Sequence, residues 1–398
     1  MIDKPLSIAI VGGGIGGLSA ALHLLRAGQD VHVYEQSAAI GEVGAGIQIS
    51  PNAARLLHRL GIAEAMEKTG VKPLWRHQRR WQDGRTLSRG PLGPEAEARF
   101  GAPYYNFHRA DLIDVLAAAL PADRLHVGHR YGRAIDHGDR VVAYFENGSE
   151  IACDAVIGAD GIHSGVRTQL FGAEAPTFTG CVAYRGLVPA ERVAHLDLPL
   201  EAQNWMGPGK HLVHYFVSAR RLVNVVCIIE QDAWTRESWT DKGEVADVLA
   251  AYEGWHSQAT TLIGALHETF KWALFDRPPL PRWSVGRITL LGDSCHPMLP
   301  MMAQGAAQSI EDGATLAMCL VGAGTDGVPA ALALYQDLRL SRASRLQAMS
   351  RANKTHFHMP DGAEQRDRDA RMGAGATDWA AGSVAWLYDH DAGAKLPA

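Results

Sequence analysis

The sequence predicts an α/β protein: a Rossmann-like dinucleotide-binding unit, interrupted by an inserted antiparallel-sheet domain and closed by C-terminal helices. Three observations carry that prediction. A strand–turn–helix–strand unit opens the chain between Ile8 and Glu35. Two further apolar strands run into acidic turns at Asp160 and Asp293. Residues 180–283 switch to the alternating patterning of antiparallel strands.

The opening unit is built for a pyrophosphate. Ile8-Ala9-Ile10-Val11 reads as a buried parallel strand, and Gly12, Gly14 and Gly17 follow in G-x-G-x-x-G spacing. Gly12 permits the tight turn, Gly14 lets backbone approach a phosphate, and Gly17 lets the helix pack on the strand. Leu18, Ala21, Leu22 and Leu25 mark the helix, Gly28 its end, and Val31–Tyr34 a second strand. Glu35 then stands about 20 residues on, where a carboxylate meets an adenosine ribose. Gly322–Gly327 repeats the glycine spacing but follows a helical run, and Pro329 stands against a helix opening there. It reads as a helix C-terminus and loop.

A glycine-rich loop (Gly41–Gly46) leads into Ile47-Gln48-Ile49, and Ser50-Pro51-Asn52 starts a helix. Residues 74–100 are arginine-rich and read as a largely solvated strand pair followed by a loop near Pro91–Glu97. Phe107–Leu112 begins the next helix, and Asn147-Gly148 joins runs 140–145 and 150–156 as a hairpin. Ile157–Ser164 carries Asp160 on a turn where a carboxylate caps a helix or meets a cofactor. After the alternating runs Cys181–Val188, His211–Val217 and Leu222–Glu230, two helices extend to about Leu266. The strand Ile288–Leu291 ends on Gly292-Asp293, and small residues at Gly305, Ala306 and Ala307 open a helix that a planar group can approach. A long helix from Ala330 carries Arg339, Arg342 and Arg345 on what reads as a solvated face. His356 and His358 read as surface residues, residues 360–377 as loop, and Trp379 with Trp386–Tyr388 as a C-terminal helix.

Composition narrows the function. With 398 residues and 47% hydrophobic content the chain buries a large core. A net charge of −5 supplies no basic field for nucleic acid. No apolar run approaches the roughly 18 residues of a membrane span, and MIDKPLS is no signal peptide, so a cytoplasmic enzyme is expected. The five cysteines are odd in number and widely spaced, which argues for free thiols. Cys295-His296 has no further ligand at suitable spacing, so no metal is expected.

Taken together, the G-x-G-x-x-G unit with Glu35, Gly158-Ala159-Asp160-Gly161 with Arg167, and Gly292-Asp293-Ser294-Cys295-His296-Pro297 resemble the single-component FAD-dependent aromatic hydroxylases. Gly44–Asn52, Ala183-Tyr184-Arg185-Gly186 and Met302–Ala306 look like the salicylate hydroxylase and 3-hydroxybenzoate 6-hydroxylase branch. The resemblance implies the p-hydroxybenzoate hydroxylase fold. It places an FAD-binding domain at 1–73, 101–179 and 284–358, substrate-domain strands at 74–100, a substrate domain at 180–283, and a C-terminal loop and helix at 359–398.

It also implies roles. Gly12, Gly14, Gly17 and Glu35 hold the ADP half of FAD, Arg109 the pyrophosphate or ribityl region, and Asp293 the ribityl chain. Asp160 serves FAD and nicotinamide binding, while Gly305 and Ala306 lie at the flavin's pyrimidine edge. NADH or NADPH binds transiently as co-substrate, and O2 is captured as a flavin C4a-hydroperoxide that attacks a phenolic acid. His211 matches the family's substrate-facing base, with His214 its local rival. Tyr215, Gln48 and Tyr104 (or Tyr105 beside it) line the pocket, and Arg185 holds the carboxylate in competition with Lys210 and Arg221. Leu299–Met302 is apolar where some 3-hydroxybenzoate 6-hydroxylases carry a glutamine, and Gln48 stands where 6-hydroxynicotinate monooxygenases carry a histidine.

Salicylate is therefore the expected substrate, and those two activities are the alternatives, in a monomer or homodimer. A nicotinamide dehydrogenase using the first motif leaves Asp160 and Asp293 unexplained. A non-hydroxylating flavin reductase or a redox-sensing flavoprotein shares all three motifs.

Overall fold

The computed structural model describes residues 4–41, 45–231, 242–374 and 383–394. Glu42, Val43, Gly44 and Trp379, on which part of the sequence reading falls, lie outside them. The first layer is a six-stranded sheet in the order Ser284–Val285, Ile288–Leu290, Ala155–Gly158, Ser7–Val11, Asp30–Tyr34, Leu125–His126. All its pairings are parallel except the first. Its central strands are apolar on both faces because the Ile15–Arg26 helix covers one side and a three-stranded antiparallel sheet, Tyr131–Asp136, Val141–Phe145 and Glu150–Cys153, covers the other. Ile8, Ile10, Val33 and Val156 join Leu18 of the Ile15–Arg26 helix and Ile310 of the Gly305–Leu320 helix in one core. Gly12 has φ +109°, and a Cβ there would stand 2.4 Å from the Ala159 carbonyl oxygen. Only glycine fits that turn.

The second layer is an eight-stranded sheet. Its order is Lys242–Gly243, Thr269–Asp276, Thr177–Pro189, Leu222–Glu230, Lys210–Val217, Glu201–Gly207, Trp75–Arg80, Thr86–Pro91. The arginine-rich strand pair thus extends the inserted sheet, joined through the parallel pairing of Trp75–Arg80 with Glu201–Gly207. One face packs Leu212, Val223, Val225 and Trp205 against Tyr252, just after the Val245–Ala251 helix, and Ala259 and Leu262 of the Ser257–Gly264 helix. The opposite face turns toward the first layer. A two-stranded ribbon, Gly46–Ile49 with Tyr105–His108, lies between the layers. Among the described residues, no helix is long and apolar enough to cross a membrane.

Several expectations are corrected. The Gly305–Leu320 helix is followed at once by Gly324–Phe357, so the second glycine repeat opens a helix despite Pro329. Proline has no N–H for the Thr325 carbonyl; Arg287 Nη1 donates to it instead, at 2.9 Å. Pro91–Glu97 is not all loop, since Pro94–Phe100 is helical with proline in its first turn. Residues 363–374 form a helix rather than a loop. The run 150–156 breaks at Asp154: Glu150–Cys153 completes the hairpin, while Ala155–Gly158 joins the parallel sheet.

A cleft, a polar sheet face and a buried charge network

Two helix N-termini open on the cleft between the layers. The Ile15–Arg26 helix has no side-chain cap, and nothing lies within 4 Å of the position a Cβ would take on Gly14. Glu35 Oε2 accepts the Gly13 N–H at 2.7 Å, which ties the acidic end of the second strand to the glycine turn. The Gly305–Leu320 helix also lacks a side-chain cap. A Cβ on Gly305 would stand 3.8 Å from Asp293 Oδ1, so the two lie together. The Asp293 side chain is exposed, yet protein surrounds it, and this low-dielectric setting pushes its carboxyl upward. Exposure combined with desolvation describes the floor of a deep cleft. Arg109 is close enough to lower the Asp293 pKa and, on its other side, that of Arg185. Uncapped helix ends, room over glycine and a carboxylate at the cleft floor form a donor and acceptor set that fits a dinucleotide. Asp160 serves the protein first: it accepts the Ser164 hydroxyl and the Val166 N–H at the start of the Gly165–Phe171 helix.

The inserted sheet presents a polar face to this cleft. Alternation along Lys210–Val217 puts His211, Val213 and Tyr215 on one side and Leu212 and His214 on the other. His214 lies on the far side among Arg79, His77 and Glu201. Across the register, Asn204, Val213, Val226 and Arg185 form one row, and Ala202, Gln203's neighbour in sequence, lies beside Tyr215 and Tyr104. Tyr215 pairs with Asn224, and a Cβ on Gly46 would meet Asn224 Cγ at 2.5 Å and Tyr215 Cε2 at 2.7 Å. Glycine there lets the ribbon lie on the sheet. Tyr104 shares the Tyr215 cluster, whereas Tyr105 turns away to His58. Gln48 donates to Asn106 Oδ1 at 3.2 Å.

Four buried polar atoms near this face have no hydrogen-bond partner: Asn204 Oδ1, Asn224 Nδ2, Asn106 Nδ2 and Arg185 Nε. Unpaired groups of this kind cost about 1–3 kcal/mol each unless a ligand satisfies them. Burial pushes the Arg185 guanidinium down to about 10, and its charge is stacked over Trp272 at 4.6 Å. Its rivals are engaged elsewhere: Lys210 Nζ donates to the Ala251 carbonyl, and Arg221 is exposed with Nε on the Ser218 carbonyl. Asn204, Asn224 and Asn106 were absent from the sequence-based candidates. The signal was present as amides at inward positions of apolar strands, such as Leu222-Val223-Asn224-Val225.

His211 is 2% exposed, and its Nδ1 lies 2.6 Å from Nε2 of His358. Burial, then the neighbouring His358, hold it well below the usual histidine pKa, so the ring is neutral. His358 is therefore buried rather than a surface residue, with its Nδ1 2.9 Å from Glu230 Oε1.

Arg339 and Arg342 overturn the solvated-face expectation most sharply. Both are buried. Arg339 donates to Asp312 Oδ1 at 2.7 Å and Glu311 Oε2 at 2.6 Å, and Arg342 Nε to Glu311 Oε2 at 2.8 Å. Arg345 instead stacks on Trp386 at 3.9 Å. Asp312 also lies 2.6 Å from His296 Nε2, with the Cys295 sulfur nearby, so a third potential metal ligand does reach that pair. The guanidinium of Arg339 already supplies the cation that this carboxylate faces.

A protein-family model described as "FAD binding domain" matches residues 6–350. A 3-amino-4-hydroxybenzoate 2-monooxygenase of Streptomyces platensis is 41% identical over 385 residues, covering 97% of this chain and 96% of that protein. A 6-hydroxynicotinate 3-monooxygenase of Bordetella bronchiseptica is 41% identical over 356 residues, covering 89% and 92%. A solved salicylate hydroxylase substrate complex superposes with a TM-score of 0.83 at 28% identity, covering 98% and 97%.

Proposed function

The chain belongs to this FAD-binding family, its relatives being FAD-dependent aromatic monooxygenases, and from that premise we propose that it hydroxylates a small phenolic aromatic acid with NAD(P)H and O2. The observation that carries the reading is the face holding His211, Tyr215 and Arg185, with four unpaired polar atoms on it or on the ribbon beside it, turned toward the cleft. FAD, when bound, supplies the redox chemistry: it takes hydride from the nicotinamide and activates O2 for transfer of one oxygen atom to the ring.

Gly12, Gly14, Gly17 and Glu35 hold its ADP half in this proposal. Arg109, Asp160 and Asp293 line the path inward, and Gly305 and Ala306 let the ring approach a positive helix end. Arg185 takes the substrate carboxylate, since a half-buried guanidinium whose Nε has no hydrogen-bond partner gains most from an anion. His211, neutral at pH 7, accepts the phenolic proton and makes the ring more nucleophilic. Tyr215, Tyr104, Gln48 and the unpaired amides orient the ring and satisfy its polar edge.

The relatives' names favour one substrate geometry. Both 3-amino-4-hydroxybenzoate and 6-hydroxynicotinate carry a hydroxyl para to the carboxyl group. A para-hydroxy aromatic acid spans the two ends of the site, with the carboxylate toward Arg185 and the hydroxyl toward His211. Salicylate is the second reading, supported by the salicylate hydroxylase likeness over nearly the whole chain. The test follows NADH and NADPH oxidation by the FAD-loaded enzyme against 3-amino-4-hydroxybenzoate, 6-hydroxynicotinate, 3-hydroxybenzoate and salicylate, with product identification. Hydroxylated product from a para-hydroxy acid supports the first reading, and catechol from salicylate the second. NAD(P)H oxidation without product from any of them overturns both in favour of a flavin reductase.

A further inference from the structure

A base that is 2% exposed needs a route by which its proton leaves. The described residues supply one. His211 Nδ1 lies 2.6 Å from His358 Nε2, and His358 Nδ1 lies 2.9 Å from Glu230 Oε1. The Glu230 side chain is 43% exposed, against 1% for His358. Three side chains therefore connect a buried ring to water without a gap.

The hydrogen positions follow from the outer end inward. A carboxylate only accepts, so His358 Nδ1 carries the hydrogen. A neutral imidazole carries one N–H, so His358 Nε2 is bare and accepts from His211 Nδ1–H. His211 Nε2 is then the bare nitrogen, and it makes no hydrogen bond among the described residues. Burial lowers both rings below the usual histidine range, which keeps them neutral as this arrangement requires.

We infer that His358 and Glu230 are positioning residues that fix the tautomer of His211 and carry its proton to solvent. The inference rests on reading His211 as the base. As the phenol O–H bond breaks, its proton bonds to His211 Nε2, and the Nδ1 proton of His211 passes to His358 Nε2. The Nδ1 proton of His358 passes to the Glu230 carboxylate and on to water. One proton has left, one phenolate remains, and the reverse passage resets both rings when the product oxygen is reprotonated.

The other groups facing this line do not compete for it. Lys354 Nζ lies 3.8 Å from Glu230 Oε1 and donates to the Thr179 carbonyl at 2.8 Å. Cys181 is nearby, but burial pushes its thiol up to about 11 and keeps it protonated. Tyr252 donates to the His211 carbonyl at 2.6 Å, and Lys210 points to the Ala251 carbonyl. Backbone already anchors the segment, because the Gly209 N–H donates to the His358 carbonyl at 2.9 Å. The His358 ring is thus spare for another task.

The test uses FAD-loaded His358→Gln, Glu230→Gln and His211→Asn enzymes with 3-amino-4-hydroxybenzoate and 6-hydroxynicotinate as bound probes. Stopped-flow absorbance reads the rate of phenolate formation across pH. The relay predicts a loss of at least about tenfold near pH 7 in the His358 and Glu230 variants, recovering as hydroxide takes over at high pH. Probe affinity and FAD content stay near wild type. Unchanged rates in both relay variants, with loss in His211→Asn, overturn the relay and leave the base. Unchanged rates in His211→Asn as well overturn the base reading itself. Should His358→Gln fail to fold, the partly exposed Glu230→Gln decides alone.

Discussion

Arg339→Met separates a solvated helix face from a buried charge network. On a solvated face the change is worth within about 0.5 kcal/mol. In the structure Arg339 is 1% exposed and bonds Asp312, Glu311 and the Gln308 side chain at 2.6–2.7 Å. Removing one partner of a buried ion pair costs about 3–5 kcal/mol. Glu311 keeps Arg342 and Asn52, and Asp312 keeps His296 and the Gly292 N–H, which places the loss at the lower end. With about 2.1 cal/mol/K of unfolding entropy per residue, a loss of about 3 kcal/mol over 398 residues lowers Tm by roughly 4 °C.

The pH dependence adds a second signature. Burial pushes Glu311 and Asp312 up, but Arg339 with Arg342 for one, and His296 with Arg339 for the other, more than reverse this and hold each at about 2. Carboxyls depressed in the folded state contribute stability that is fully present above their unfolded pKa, about 4, and is lost as pH falls toward 2. The wild-type protein therefore loses stability steeply between these limits, and Arg339→Met less steeply. Calorimetry or melting curves at pH 7 and in steps from about pH 4 down to about pH 2.5 measure both effects. A Tm within about 1 °C of wild type at pH 7, with parallel acid profiles, refutes the network.

His211→Ala should retain FAD while losing about 10²–10⁴-fold in hydroxylation, the reach of a general base; peroxide released per NAD(P)H oxidised should rise, and unchanged coupling would sink the assignment. Gly46→Ala should cost about 1–3 kcal/mol by overpacking, because its Cβ meets Asn224 and Tyr215. Melting curves and the KM of the aromatic acid measure that change, and a neutral variant would show that ribbon and sheet do not touch. Arg185→Met should weaken carboxylate binding by roughly 10- to 150-fold, the value of a charge-assisted bond. Titration with an acid and its methyl ester checks it, since the ester's affinity should barely move.

What could be read from the sequence was local. The glycine turn, the Asn147-Gly148 hairpin and the alternation that puts His211 with Tyr215 depend on neighbours a few residues apart. Periodicity therefore located them. The misses share a different cause. Arg339 on a helix exterior and Arg339 beneath another helix have the same spacing, and only the tertiary partner 27 residues away, Asp312, tells them apart. His358 was likewise assigned to the surface because Glu230 and His211, its partners, are 128 and 147 residues distant. Pro329 misled for the converse reason. Its helix-breaking effect is real, but Arg287 compensates from far along the chain.

The buried charges also explain how separate motifs become one site. Glu311 and Asp312 occupy the second turn of the Gly305–Leu320 helix, on the order of 10 Å behind its N-terminus. Two uncompensated negative charges there would overwhelm the roughly +0.5 charge of the helix end and make the cleft repel anions. Arg339 and Arg342, three residues apart on the facing helix, return two positive charges to the same spot, so the helix end keeps its own sign. The carboxylates then act as anchors. Glu311 accepts from Asn52 at 2.6 Å and so ties down the Ser50-Pro51-Asn52 turn. Asp312 accepts the Gly292 N–H at 3.0 Å and so fixes the turn that carries Asp293. Gln304, just before the helix, donates to the Ser50 hydroxyl at 2.9 Å. Two loops, Ser50–Asn52 and Gly292–Asp293, are thereby held around one helix N-terminus by a network that adds no net charge, and this is why acids and arginines are buried together behind the cleft.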